Sequence, residues 1–376
     1  MINTLVKVRN IIIRTIYITV LKPILFTFDP EKVHDMFINV GRIIGSNPIT
    51  RALNAFAFGY SNKKLEQKIL GIKFKNPIGL AAGFDKDAKI IKSMKSTGFG
   101  YTEIGSITGE PCEGNPKPRL WRLKKSKGLI VYYGLKNEGA EKIAKKLKNK
   151  KFNIPMGVSI AKTNCKATAT TQKGIEDYAK AFKVLHDFGD YFTINISCPN
   201  AHGGLPFTSK EKLEKLLDEL GKTPTEKPIF LKLAPDLSHK EIDEIIEVAD
   251  NHKIDGFICT NLTKDRGNAS IKQHIKDADP VSHGGISGKP IRDLSTKVIK
   301  HVYKKTKGEY IIIGCGGVFG AKDAYEKIKA GASLIQLITG MIFEGPQTIS
   351  EINLGLVKLL EKDGYKNISE AVGKNN

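Results

Sequence analysis

The stretch YIIIGCGGVFGAKDAYEKIKAGASLIQLITG, residues 310–340, holds the unit from which the fold is read. An apolar run, YIIIGCG (310–316), enters a glycine-rich turn. An amphipathic helix, GAKDAYEKIKAG, follows, and a second apolar run, SLIQLIT (333–339), completes the unit. Strand, helix and strand in that order make a parallel crossover. Upstream, apolar runs stand at PIGLAAG (77–83), GYTEIGS (100–106), PMGVSIA (155–161), YFTINIS (191–197), PIFLKLA (228–234) and DGFICTN (255–261). Helices such as GIEDYAKAFKVLHDFG and SHKEIDEIIEVADNH lie between them. Strand–helix alternation repeated eight times predicts an α/β fold, a closed (β/α)8 TIM barrel in place of an open sheet. A barrel of about 250 residues plus an appendage fits the 376-residue chain. We expect residues 1–60 to form N-terminal amphipathic helices and residues 61–376 the barrel.

Polar and glycine residues gather at the carboxyl ends of these runs. In a barrel those ends share one face, where active sites form. Gly83, Lys86, Ser106, Asn195, Cys198, Lys232, Asn261 and Gly317 are therefore expected around one mouth. The insert 107–136, with PKPRLWRL and GLIVYYG, reads as a hairpin over it. Glycines in GCGGVFG, with Thr339 and Gly340 after the last run, match a phosphate site built from the last two loops. In NISCPN (195–200), Cys198 is a usable base at mildly alkaline pH, since an ordinary thiol titrates near 8.5. Asn195, Asn200 and Asn261 each bring an amide donor and acceptor, which suits a planar ring such as a pyrimidine. Lys232 interrupts an apolar strand, so it needs an anion or an electron-rich partner.

The formal charge of +21 is spread over scattered lysines, without Arg-rich blocks, so nucleic acid is not an expected partner. Five separated cysteines and no C-x-x-C predict neither a disulfide framework nor a metal site. Residues 1–26 are apolar but interrupted by Lys7, Arg9, Arg14 and Lys22, and Pro23 ends the run, so they do not span a membrane. At helical spacing Asn3, Lys7, Asn10, Arg14 and Thr15 share one side. Leu5, Ile12, Ile13, Ile16 and Val20 lie mostly on the other. Two dispositions fit: a helix in a membrane interface with its cations toward headgroups, or one packed on the body. Asp29-Pro30 and Asn47-Pro48 predict the starts of two further helices, whose apolar faces suit the mouth of a tunnel.

The motifs LKPILFTFDPEKVHD, NPIGLAAGFDKDA, EIGSITGEP, NPKPRLWRL, NISCPN, KLAPDLS, GGISGKP, GCGGV and GASLIQLITG occur together in one order. In this the chain resembles the dihydroorotate dehydrogenase family across nearly its whole length. The N-terminus and PRLWRL are similar to the quinone-using, membrane-associated class. The resemblance implies FMN as cofactor, with contacts at Ala82, Gly83, Lys86, Ser106, Ser159, Asn195, Lys232, Thr260, Gly288, Gly317, Thr339 and Gly340. It implies contacts to dihydroorotate or orotate at Lys86, Asn195, Asn200 and Asn261, with Cys198 as base. The implied reaction oxidises dihydroorotate to orotate with a quinone acceptor, in de novo pyrimidine (UMP) biosynthesis. The implied setting is a peripheral protein, expected as a monomer, on the cytoplasmic face of the cell membrane or on the inner mitochondrial membrane.

The sequence departs from the quinone class at several positions. Cys198 replaces a serine base and, with the AHGG that follows, resembles the soluble class. Val131 and Leu262 stand where polar substrate contacts are usual, and Ser159 where the flavin usually meets an asparagine. Two alternatives follow: a soluble-type enzyme reducing fumarate or a nicotinamide, and a flavin oxidoreductase acting on another reduced pyrimidine. A non-redox phosphate-binding barrel and a non-catalytic binding protein are more distant readings, and the second leaves NISCPN unexplained.

Overall fold

All eight apolar runs become strands of one closed parallel barrel in the computed structural model, which describes residues 2–197, 207–275, 277 and 280–376. The strands are β1 (Ile78–Leu80), β2 (Tyr101–Ile107), β3 (Met156–Ile160), β4 (Tyr191–Ile194), β5 (Ile229–Leu233), β6 (Gly256–Cys259), β7 (Ile311–Cys315) and β8 (Leu334–Leu337). They follow one another in chain order around the barrel, and β8 pairs with β1 to close it. Both faces of each strand are covered, which is why the runs read as nearly continuous apolar sequence.

The interior is built in layers by the two-residue period of a strand. Tyr101, Tyr191, Phe230, Ile258, Ile313 and Leu334 form an apolar floor. Gly79 and Gly157 make it possible: a Cβ at either position would overlap the ring of Tyr101 or Tyr191. A hairpin of Gln67–Ile69 and Ile72–Phe74 plugs the floor from below, with the Phe74 ring edge-on to Tyr101 at 5.4 Å. Two residues further along the same six strands come Glu103, Thr193, Lys232, Thr260, Cys315 and Gln336. The alternation therefore places a polar layer directly above the apolar one, facing the carboxyl end of the barrel.

The insert forms the expected hairpin, Leu120–Leu123 with Gly128–Val131. A third strand, Gly285–Gly288, adds to its free edge, and the sequence reading lacked it.

The N-terminal segment holds three helices: α1 (Ile2–Ile16), α2 (Pro30–Ser46) and α3 (Pro48–Phe58). α1 runs on through a wider π-helical turn, Tyr17–Leu21, and a last turn to Leu25. The predicted caps are present, with Asp29 accepting from the Lys32 amide at 2.9 Å and Asn47 from Ile49 at 2.7 Å. On the outside of the barrel, the elements used below are α4 (Arg292–Lys305), α5 (Ala321–Lys329) and α6 (Thr348–Asp363).

The expectation that the cations of α1 face headgroups is overturned. Its polar side packs on the body: buried Asn10 donates to Ser350 Oγ at 3.1 Å. Arg9 reaches the carbonyls of Phe56 (2.7 Å) and Gly59 (3.0 Å), and Arg14 pairs with Glu344 and Glu351. The apolar side is the one left outside, with Leu5 67% and Ile12 54% exposed. Ile16, Val20 and Ile24 are likewise exposed, as are Val40 and Ile43 on α2 and Leu53 and Phe56 on α3. Among the described residues no helix is long and apolar enough to cross a membrane.

Candidate active site

Above the polar layer lies a cavity of ≈ 310 Å³ that runs from the strand ends to the N-terminal helices. Ala82, Gly83, Lys86, Ser106, Asn195, Lys232, Thr260, Asn261, Gly288, Gly317, Thr339 and Gly340 all line it. Twelve expected residues drawn from seven strand ends and the insert's third strand thus meet in one space, as the barrel topology requires. Ser159 does not reach the wall. It is fully buried, 2.8 Å from Ser106 Oγ, and supports that hydroxyl from behind. Cys198 and Asn200 lie outside the described residues.

The residues before Cys198 are tightly held. Asn195 Nδ2 donates to Ser106 Oγ at 3.0 Å, and Ser197 Oγ donates to the Lys232 carbonyl at 2.7 Å. Asn261 Nδ2 lies 3.2 Å from Asn195 Oδ1 and from the Ser197 carbonyl. Two of the three expected asparagines are thereby locked to one another, so their remaining polar atoms point with little freedom.

The charges differ by zone. Lys232 is 5% exposed, faces the cavity and has no ion-pair partner among the described residues. Glu103 beneath it is fully buried, and its Oε2 accepts from Tyr191 (3.1 Å), Thr193 (3.0 Å) and Gln336 (2.9 Å). Gln336 Oε1 and Glu103 Oε1 have no partner among the described residues. Lys86 sits 4.0 Å from the Tyr133 ring centroid and 3.4 Å from His34 Nε2. Burial pulls its pKa down to about 8, against the pull of Asp35 and Asp87. Burial, with Lys86 beside it, also lowers the pKa of His34. Tyr133 Oη is buried and unpartnered among the described residues.

These features fit a flavin. An unpaired ammonium, an amide with a free acceptor and a hydroxyl face a space lined on other sides by Ala82, Leu129 and Val318. A planar ring with polar edges matches that combination. A Cβ on Gly83 would meet nothing closer than Ile338 Cδ1 at 3.9 Å, so the backbone there opens onto the cavity. At the far end Gly288, Gly317 and Gly340 bring bare backbone to the wall beside Ser287 Oγ and Thr339 Oγ1, which are 3.0 Å apart. Small polar groups and glycines suit a phosphate.

Toward the N-terminus the lining turns apolar, with Leu25, Phe26, Val33 and Phe37. Arg122 stands over the Phe26 ring at 4.6 Å and donates to the Phe28 carbonyl at 2.8 Å. One buried ion pair fixes this throat to the insert: Arg119 donates to both oxygens of Glu31, at 3.0 and 2.8 Å.

A family profile described as dihydroorotate dehydrogenase matches residues 64–360. The chain belongs to the dihydroorotate dehydrogenase family. A relative from Trichodesmium erythraeum, named dihydroorotate dehydrogenase (quinone), is 40% identical over 95% of this chain and 98% of its own. Another of the same name, from Christiangramia forsetii, is 41% identical over 92% and 99%. The ligand-free DHODH structure from Eimeria tenella superposes with a TM-score of 0.81 at 30% identity, covering 93% of this chain and 99% of that one. The family profile begins at residue 64, whereas these relatives cover 95% and 92% of the chain and so also match part of what precedes it.

Sequence reasoning passed over several residues that line or support the site. Glu103 and Gln336 interrupt apolar strands as Lys232 does, and the same argument applied to them would have found them. His34, Tyr133 and Arg122 carry no such signal, because their elements reach the cavity only through tertiary packing.

Proposed function

We propose that this protein oxidises dihydroorotate to orotate, with FMN held at the barrel mouth and a quinone as electron acceptor. The observation that carries the reading is a single cavity with two chemistries. Its inner zone is polar and cationic, and its outer zone is an apolar throat between helices whose outward surface is also apolar. An anionic pyrimidine and a lipid-soluble acceptor need those two environments.

FMN, when bound, supplies the hydride acceptor and the route by which two electrons reach the quinone. The protein supplies the rest. Lys86 meets the substrate carboxylate, and the amides of Asn195, Asn200 and Asn261 hold the ring polar edges. Cys198 would take the proton from C5, and the thiolate is the competent form. Lys232 would place its charge beside the flavin ring, while Ser106, held by Ser159, and Thr260 would fix the ring's position. Gly288, Gly317, Thr339 and Gly340 receive the phosphate.

The outward apolar residues of α1, α2 and α3 dock the protein on a lipid surface, and the overall positive charge favours anionic lipid. A quinone then enters the throat from the bilayer without crossing water. We place the protein at the cytoplasmic face of a membrane, as a peripheral monomer with residues 1–60 as its docking unit. Val131 and Leu262 both line the cavity, so a different reduced pyrimidine is the reading to test against.

Anaerobic addition of dihydroorotate to the purified yellow protein distinguishes these. Rapid bleaching, reversed by a quinone, is the expected result. A protein that stays yellow with dihydroorotate but bleaches with another dihydropyrimidine would overturn the substrate.

A further inference from the structure

Among the described residues, Lys86, Lys232 and Lys327 each hold an ammonium away from bulk water with no carboxylate paired to it. Lys86 and Lys232 face the cavity, where the reading above gives each an electron-rich partner. The third, Lys327 on α5, is fully buried and does not line the cavity. Its three protons go to neutral oxygens: the Arg292 carbonyl at 3.0 Å, Ser295 Oγ at 3.1 Å and Thr296 Oγ1 at 2.9 Å. Elsewhere the buried acids Glu31 and Glu344 are held by cations, Arg119 for one and Arg14 with Lys127 for the other. A buried cation with only neutral partners is costly unless an anion acts on it.

The position of Lys327 says which anion. Its acceptors all lie on the first turns of α4. That part of α4 is also the surface on which the Gly316–Gly317 loop rests. A Cβ on Gly317 would overlap Arg292, and one on Gly316 would press on Ser295 Cβ at 3.0 Å. Ser295 Oγ lies 2.8 Å from the Cys315 carbonyl oxygen, so it links the ammonium to the residue that enters the loop. Lys327 thus stands one side-chain layer behind the glycine loop, and the cavity lies on the loop's other side.

We propose that Lys327 is the counter-charge of the cofactor phosphate, a positioning residue that attracts it through the glycine loop without touching it. This rests on the FMN reading above. A unit charge across one dry side-chain layer is only weakly screened by solvent and salt, so it still acts on a dianion. These three lysines then answer three electron-rich groups: the substrate carboxylate, the flavin ring and the phosphate.

A pH signature follows. Without a bound anion, burial brings Lys327 down to about 8, although Cys315, Glu326, Asp323 and Asp293 all pull the other way. Arg292 is the other cation at this turn, paired to Asp293 at 2.8 Å. A phosphate nearby favours the ammonium, so its binding weakens as pH rises past the unliganded value. The phosphate itself is already a dianion above pH ~7.

The test is to free the full-length protein of flavin and titrate it with FMN and with riboflavin, read by flavin fluorescence. Riboflavin has the ring and lacks the phosphate. We expect Lys327→Gln, which keeps two donors and loses the charge, to weaken FMN at least tenfold. Riboflavin binding should stay within twofold of wild type. Equal losses for both ligands would make Lys327 a packing residue and overturn the inference, as would unchanged FMN binding. If the variant does not fold, the wild type decides: its preference for FMN over riboflavin should fall about tenfold between pH 7 and 9.5. A flat preference overturns the inference while leaving the FMN site intact. A wild type that binds neither flavin removes both.

Discussion

The barrel mouth and the N-terminal helices use charge in opposite ways. At the mouth, Lys86 and Lys232 are presented to an open space without an acidic ion-pair partner among the described residues, and polar atoms of Gln336 and Tyr133 are left unmatched among them. In the helical extension the cations that face the body are consumed. Arg9, Arg14 and Lys22 are each bonded to carbonyls or carboxylates of the body or of a neighbouring helix, and the apolar residues are the ones left outside. Paired charge holds parts together, whereas unpaired charge in a dry place waits for a ligand. The helices also show that an amphipathic segment does not always bury its apolar face. Here the polar face is the one that packs inward.

The strongest way to break this contrast is at the base. Cys198→Ala should slow flavin bleaching by dihydroorotate by ~10²–10⁴ while leaving FMN bound. Stopped-flow absorbance measures it, and wild-type-like bleaching would remove Cys198 from the chemistry. Next comes Lys86. Losing a charge-assisted contact in Lys86→Met should raise the dihydroorotate KM about 10- to 100-fold with less change in kcat. In the wild type, orotate binding favours the ammonium form, so its Kd should climb as pH rises above about 8. An orotate Kd independent of pH between 7 and 9.5 would separate Lys86 from the carboxylate.

A third change acts on the join between the two regions. Glu31→Gln leaves Arg119 buried without its partner and should cost about 3 kcal/mol. Because the pair ties α2 to the insert, the quinone half-reaction should suffer while bleaching by dihydroorotate stays within twofold. Equal loss in both half-reactions would mean that the throat is not a separate compartment. The mildest effect is on the outer surface. Ile12→Asp should weaken binding to anionic vesicles about tenfold, since one exposed apolar contact with lipid is lost. Stability should change by less than about 0.5 kcal/mol, and unchanged vesicle binding would move the lipid contact off α1.

The eight strands were readable because parallel strands covered on both faces leave unmistakable apolar runs. Their carboxyl ends were readable because the barrel fixes where those ends must meet. The inversion of α1 was not. Periodicity shows that Asn10 and Arg14 share a side, but it says nothing about the medium that side meets. The partners that decide it, Ser350, Glu344 and Glu351, are more than 300 residues away in sequence. The strand Gly285–Gly288 was hidden for a related reason. It is short and glycine-flanked, and only its pairing with Gly128–Val131 makes it a strand. Ser159 was assigned from family resemblance and stands one layer back, because Ser106 occupies the wall in front of it.

The polar seam beneath α1 has an evolutionary consequence. A segment stuck down by grease leaves a sticky scar when it is lost, and the remainder tends to clump. Here the seam on α6 and its approach is written largely in Ser350, Glu351 and Glu344. A descendant shorn of its first helix would bare a wettable patch. The first helix is thus a removable fitting, free to be lengthened, traded or discarded without spoiling the barrel beneath it.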